Sequence, residues 1–442
     1  MNVRAAQRHA VLQMLNFNQP MEKVGAGSAL FDDSHWSNDW KVLVFDRFCR
    51  DVISPLVTVK DLRRQGVTLH LELMAERDRI PDVPAIYFVQ PTGENIRRIV
   101  ADCAAKRYSA FYLNFSSPLP RAMLELMAEL AIKNGCVEAI NKVHDQFSQF
   151  VALEATLFSL NMPDSFTVYN DPRSAGRVEQ TMDAIAAGLF GVLATLGAVP
   201  VIQTPRGGAA QMVASKLFDR VRFNLASADS LFAGSASRQR YQRGAAAAFE
   251  RPLLLIVERG EDLATMLRHC STYQALMHDV VDTRLNRISI PTTREGKQEV
   301  TTYHLDSDSD VFWRTYARKM FPDAIEANGV EMKEVVRQEA EIRSRTTDGG
   351  AAAGGANVFG DSSGGGADLH QAVQALPRLM ERKGVLEQHT NILQATMQQV
   401  ASRELPTFFE HEDGITTRQH VDVPALRELL AAKGCVSHFE VF

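Results

Sequence analysis

Cysteine is scarce in this chain and never clustered. Cys49, Cys103, Cys136, Cys270 and Cys435 lie far apart, with no C-x-x-C among them. A disulfide framework or a thiolate zinc site needs close spacing, so free thiols in a reducing compartment are the expectation. Charge of one sign is lacking too: the formal net charge is −5 over 442 residues, which supplies no basic stripe for nucleic acid. Neither G-x-G-x-x-G nor G-x-x-x-x-G-K-[ST] occurs, and H-E-x-x-H is also missing, which removes the common signatures of nucleotide and metalloprotease sites. The twelve histidines are scattered; His269 and His278, nine apart, do not share a helix face neatly. Asp306, Asp308 and Asp310 lack the glycine and terminal glutamate of a calcium loop and read as solvated charge. No metal and no cofactor is expected.

Long apolar runs are almost absent. The exception is "AIAAGLFGVLATLGAVPVI" at 184–202, 19 residues without a charge, which is marginal for a membrane span. Gly197 and Pro200 within it read as a helix stop followed by a strand start. A buried helix ending near Leu196 and a strand Val199–Gln203 are therefore preferred to a span. The N-terminal "MNVRAAQRHAVLQMLNFNQPM" carries Arg4 and Arg8 and no acid before Glu22. That bias suits a presequence, but it equally suits an amphipathic helix packing Val11, Leu12 and Leu15, the preferred reading.

What is present is ample apolar content, 45%, in a chain long enough for two or three domains. Strands are predicted at Val42–Phe45, Val67–Leu73, Ala85–Val89 and Ala110–Phe115, with helices near 58–65, 93–106, 119–133 and 137–150. Runs such as "VLVF" and "AIYFV" are apolar throughout, as parallel strands covered on both faces are. Thr92 and Ser116 or Ser117 stand where helix N-caps belong. The fold class is α/β, doubly wound. A second α/β region has helices near 174–196 and 208–224 and strands 199–203 and Leu253–Val257. From about Ser271 the character turns mainly helical, and "TTDGGAAAGGANVFGDSSGGGAD" at 346–368 is too poor in apolar residues to hold a structure. Flanked by helical sequence, it reads as the disordered tip of a helical hairpin rather than a plain linker.

One pattern occurs twice. "VLVFDRFCRD" ends a strand at Asp46, and "LLLIVERGED" ends another at Glu258. Acids at strand C-termini mark where open α/β sheets bind ligands. A phosphate reading would use Asp46, Arg47 and Gly207–Gly208, giving a nucleotide- or phosphate-dependent α/β enzyme. Glycines beside Asp46 are missing, however, so the structural reading is preferred. In it Asp51 or Asp262 caps the turn and Arg47 or Arg259 ties it down.

Taken together, "MLNFN" at 14–18, "WKVLVFDRFCRDVISPLVTVKDLRRQGVTLHLEL" at 40–73, "IPDVPAIYFVQPTGENI" at 80–96, "FYLNFSSPLPR" at 111–121, "TLGAVPVIQTPRGGAAQMVASKL" at 195–217 and "RPLLLIVERGEDLATMLRHCSTYQALMHDVVDTRLNRI" at 251–288 resemble the SM (Sec/Munc) family of SNARE-binding proteins of vesicle fusion, in its Sly-type, ER–Golgi branch. The resemblance implies a non-enzymatic chaperone of SNARE assembly, cytoplasmic and held at ER and Golgi membranes through its SNAREs. It implies an arch of two doubly wound parallel-sheet domains, 1–155 and 156–268, and a mainly helical third domain, 269–442, with hairpin arms at about 321–345 and 369–385. In Sly-type proteins a phenylalanine of a Golgi syntaxin's N-terminal peptide enters an apolar pocket on the first domain. The matching residues here are Met127, Leu130 and Ala131 on one helix and Ile140 and Val143 on the next. The third domain's hairpin contacts assembling SNARE helices, with Pro377 at its hinge. The family continues some 180–200 residues further, and the missing part completes the second domain. A shortened chain with an exposed sheet edge is expected.

Overall fold

The computed structural model describes residues 1–19, 40–227, 230–232, 251–294 (without 263–264 and 266–267), 297–351, 365–417 and 422–433. These form two compact units, Met1–Glu258 and Arg259–Phe442.

The first unit opens with helix α1 (Val3–Leu15). Then come β1 (Lys41–Phe45), α2 (Arg47–Ile53), α3 (Val59–Arg64), β2 (Val67–Glu72), β3 (Ala85–Val89), α4 (Gly93–Ala104), β4 (Phe111–Phe115), α5 (Arg121–Lys133) and β5 (Ile140–Asp145). The five strands form one sheet in the order β2-β1-β3-β4-β5, every pair parallel. β1 and β3 are buried along their whole length, which is why they read as unbroken apolar runs. Thr92 caps α4 by accepting from Asn95 N. Ser116 and Ser117 cap nothing: α5 starts beyond Pro120 without a side-chain cap, because Pro118 and Pro120 favour an extended chain in the residues before them.

The helix expected near 137–150 is not there. A single turn at Val137–Ala139 leads directly into β5. Without β5, the backbone groups on the outer edge of β4 would have no partners, and pairing supplies them. β6 (Val151–Glu154) and β7 (Leu157–Ser159) follow as an antiparallel pair.

Helix α1 joins this body as an amphipathic element. Val3, Val11, Leu12, Met14 and Leu15 are buried. Its arginines are used structurally: Arg4 donates to Pro55 O at 2.8 Å and Arg8 to Leu56 O at 3.1 Å. Gln7 donates to Phe150 O and accepts from Ala152 N, holding α1 against β6.

After α6 (Ser165–Asn170) comes α7 (Ala175–Leu196), whose part from Ala184 onward belongs to the charge-free stretch. It ends as expected at Gly197, left-handed with φ +59°. Among the described residues no helix is long and apolar enough to cross a membrane. α7 packs on α8 (Gly208–Ala226) and on the segment leaving β5, where Gly191 allows a close approach: a Cβ there would collide with the carbonyl of Phe147. β8 (Val201–Gln203) pairs parallel with β9 (Leu253–Leu255), a sheet of two strands among the described residues. Leu253, Leu255 and Val257 are exposed, so this small sheet presents apolar side chains to solvent.

The second unit runs α9 (Tyr273–Val280), β10 (Asp282–Arg284), β11 (Arg287–Arg294), β12 (Lys297–His304), α10 (Val311–Tyr316), α11 (Phe321–Ala351), α12 (Gly365–Ser402), α13 (Leu405–Thr416) and α14 (Val423–Lys433). The β10-β11-β12 antiparallel sheet was not anticipated in a region read as helical. Ile288 and Ile290 on β11 are buried, the alternation of a half-covered strand.

Its core centres on His389, fully buried on α12. Nε2 lies 2.8 Å from Asp310 Oδ2 and Nδ1 lies 2.9 Å from the Tyr273 hydroxyl, while the ring stacks on Trp313. In the neutral tautomer that donates Nε2–H to the Asp310 carboxylate, Nδ1 accepts from the Tyr273 hydroxyl. Asp310 is therefore not solvated charge. It is 6% exposed and also caps α10 through Trp313 N.

α11 and α12 form the expected hairpin, tied by Asn328 to Thr390, Arg382 to Glu331 and Lys383 to Glu339. Both arms are longer than expected. Helix reaches Ala351 and restarts at Gly365, so the ends of the 346–368 insert are helical, while 352–364 lie outside the described residues. Pro377 stands exposed inside α12, which continues on both sides of it.

Two predictions follow from this packing. Gly191→Ala loses about 1–3 kcal/mol of unfolding free energy, whereas Gly176→Ala on the same helix, where a Cβ meets open space, changes it by no more than about 0.5 kcal/mol; urea titration compares them. The second concerns α13. His269 binds Glu412 through both Nδ1 (2.6 Å) and its backbone N (2.8 Å). The hydrogen bond to Glu412 raises the His269 pKa above its ordinary 6.5, with Asp279 adding to it and burial and Arg403 opposing. A raised folded pKa means the clasp is at full strength below about pH 6.5 and is lost as pH climbs through the folded value. Hydrogen exchange of α13 should quicken over that range beyond the ordinary base-catalysed rise, and Glu412→Gln should abolish the excess.

Candidate functional site

The repeated acid does two different structural jobs. Asp46, at the end of β1, accepts from Cys49 N at 2.8 Å through Oδ1. Through Oδ2 it accepts from Gln90 N at 2.6 Å and Asn95 Nδ2 at 2.9 Å. Asp46 is therefore the N-cap of α2 and also binds the β3–α4 turn. The expected cap, Asp51, is buried further along α2 beside Arg50, and Arg47 is exposed.

Glu258 reaches instead to the start of α8, where its carboxylate accepts from Ala210 N at 2.9 Å. It lies so close to Gly208 that a Cβ there would overlap it. A helix N-terminus preceded by glycines attracts an anion, and the chain's own carboxylate already occupies this one. The phosphate reading through Gly207–Gly208 loses its site. Asp262 does cap locally, accepting from Thr265 N, and Arg259 is exposed. Among the described residues no group of three or more His, Cys, Asp or Glu could hold a metal ion.

The apolar face at α5 and β5 is the remaining candidate. Met127 and Ala131 are 5% and 3% exposed and belong to the core beneath α5. Leu130 and Ile140 pack half-buried against that same core. Val143 is 40% exposed on β5 and lies outside it. Four of the five expected residues are thus brought together, and Ile140 and Val143 arrive on a strand rather than on a second helix. Ile132 and Val137, exposed nearby at 71% and 52%, were missed. A signal for Ile132 existed: "MLELMAELAI" carries more apolar residues than one helix face can bury. β5 is also a sheet edge.

The sequence profile of the Sec1 family matches residues 41–439. The chain belongs to the Sec1 family. It is 38% identical to the SEC1 family transport protein SLY1 of Arabidopsis thaliana over 98% of this chain and 66% of that protein. It is equally similar, at 38%, to the human Sec1 family domain-containing protein 1, over 95% of this chain and 66% of the relative. The crystal structure of Sly1p in complex with an N-terminal peptide of Sed5p superposes with a TM-score of 0.75 at 30% identity, covering 98% of this chain and 65% of that one. The SM protein Vps45, at 20% identity and a TM-score of 0.66, shares the fold. This Sec1 chain spans about two thirds of the length of the curated relatives it matches.

Losing the Asp46 carboxylate should be costly, because three donors would be left without it. Asp46→Ala is expected to destabilise the first unit by about 1–3 kcal/mol, and Asp46→Asn by less, since it keeps one acceptor. Chemical denaturation of the two variants checks the order.

Proposed function

We propose that this Sec1-family chain is a non-enzymatic SNARE-binding chaperone of vesicle docking and fusion in ER–Golgi transport. Its first domain binds the N-terminal peptide of a Golgi syntaxin at the α5–β5 face, and its helical hairpin assists the pairing of SNARE helices. The observation that carries this reading is the relative of known structure, Sly1p, which holds an N-terminal peptide of Sed5p, on a fold this chain matches over nearly its whole length. Leu130 and Ile140, half-buried, and Val143, exposed, would receive one aromatic side chain, with Met127 and Ala131 forming the floor. A single buried anchor of this sort dominates the affinity of peptide recognition.

The domain division 1–155, 156–268 and 269–442 belongs to the same reading. So does Pro377 as the hinge of the hairpin: proline removes one hydrogen bond from α12 and crowds the preceding turn. Attachment to ER and Golgi membranes would come through the bound SNAREs; among the described residues no helix is long and apolar enough to cross a membrane.

Calorimetric titration with the N-terminal peptide of a Golgi syntaxin from the same organism tests the proposal. Wild type should bind. Leu130→Lys places an ammonium in an apolar site and should weaken binding by roughly a hundredfold, about 3 kcal/mol. Absence of binding by a folded wild type, or an unchanged affinity in the variant, would remove the assignment.

A further inference from the structure

A second apolar recess lies elsewhere in the first unit, where the loops leaving β4 and β5 meet α7 and α8. It is a cavity of about 220 Å³ and shares no lining residue with the α5–β5 face. Phe147, Ala187 and Phe190 line it, and Arg220, Phe223 and Asn224 of α8 complete it.

Size narrows the guest first. Pockets for drug-sized ligands and cofactors occupy roughly 300–1,000 Å³, more than is present. A cavity on the order of 150 Å³ holds a benzene molecule, so this one suits a single aromatic side chain. Its lining agrees. The Phe147 and Phe190 rings stand edge to face, centroids 5.7 Å apart, and edge-to-face or offset packing is what a further ring would extend. Phe223 is 81% exposed, an unusual cost for a phenyl ring that a bound partner would remove. Phe147 also has φ +48°, a left-handed conformation rare for an aromatic residue and one that collects at ligand clamps.

Charge narrows it further. Arg220 has Asp183 at 3.8 Å with both side chains about two-fifths exposed, a weak pairing. Arg222, two positions on, is exposed. Asn224 Oδ1 already accepts from Leu231 N and Ser230 Oγ, which leaves its amide N–H groups as the spare donors. Of the α8 side chains that line the recess, Arg220 therefore offers a cation and Asn224 its amide donors.

We propose that this recess is a docking site for a short acidic segment of a partner protein, which inserts one aromatic side chain beside Phe147 and Phe190 and sets a flanking carboxylate against Arg220. The site is independent of the syntaxin-peptide face and would allow both to be filled at once.

The probe is a fluorescein-labelled peptide Glu-Asp-Phe-Glu-Asp, followed by anisotropy at low salt with the full chain. The comparison peptides replace its Phe by Ala or its acids by Lys. Wild type should prefer the acidic aromatic peptide to both by at least roughly tenfold. Ala187→Trp, which fills the recess, and Arg220→Glu should each lose that preference, while Leu130→Lys should retain it. Phe223→Ser, at an exposed position that does not threaten folding, should weaken binding several-fold even if Ala187→Trp fails to fold. Equal binding of the Phe and Ala peptides to wild type would overturn the proposal, as would undiminished binding by Arg220→Glu and Phe223→Ser together, or no binding by wild type.

Discussion

The first unit depends on one carboxylate. A doubly wound sheet brings the C-terminal ends of its strands side by side, and each chain must leave its strand through a turn whose backbone donors have lost their ladder partners. Asp46 answers for two such turns at once, accepting from Cys49 N within its own and from Gln90 N and Asn95 in the next. Since β1 and β3 are neighbours at the centre of the sheet, this link fixes the exit of the chain where α2 and α4 begin. In many α/β proteins the same place is kept open for a ligand. Here it is closed by the protein itself, and Glu258 closes the corresponding place at α8. A scaffold shaped like that of a nucleotide-binding domain has thus committed its anion-attracting positions to internal bonds.

How far the fold could be read from the residues depended on whether local pattern and tertiary pairing agreed. They agreed for β1 and β3, whose unbroken apolar runs announce burial on both faces, and for α7, whose end Gly197 signals by its left-handed conformation. They disagreed at 137–150. "VEAINKVHDQFSQF" has no strict alternation, and it is a strand because the edge of β4 required one. The β10-β11-β12 sheet was legible in principle: "RISIPTTR" and "KQEVTTYH" are rich in β-branched residues, only two positions apart. The helical tone of their neighbours hid them.

The candidate site was legible only through family resemblance, and then imperfectly. Nothing in the spacing of Met127, Leu130 and Ala131 separates a helix packed on its own sheet from one that offers a receptor. In the structure Met127 and Ala131 of α5 turn to the core and Leu130 lies at its margin. Asp310 makes the same point in the other unit. Three aspartates at alternate positions look alike in sequence, yet one is buried under His389 and joins α9, α10 and α12 into a single core. Burial of a polar group becomes visible only when its partners are: His389 lies 79 residues after Asp310, and Tyr273, which holds the other side of that imidazole, lies 37 before it.

The tight first unit has one further consequence, for its sulfur. Cys49, Cys103 and Cys136 are buried free thiols, and burial pushes the pKa of each upward; at Cys49 the Asp46 carboxylate adds to the effect. A thiol reacts as its thiolate, so the native sheet holds three sulfurs both out of reach and chemically silent. Cys270 differs in reach alone: its pKa is raised as well, by partial burial and Asp279, but its sulfur is exposed. The chain therefore carries its own record of its condition: alkylation or oxidation confined to Cys270 among these four marks a molecule that stayed folded, and modification spreading to the other three dates the moment the sheet came apart.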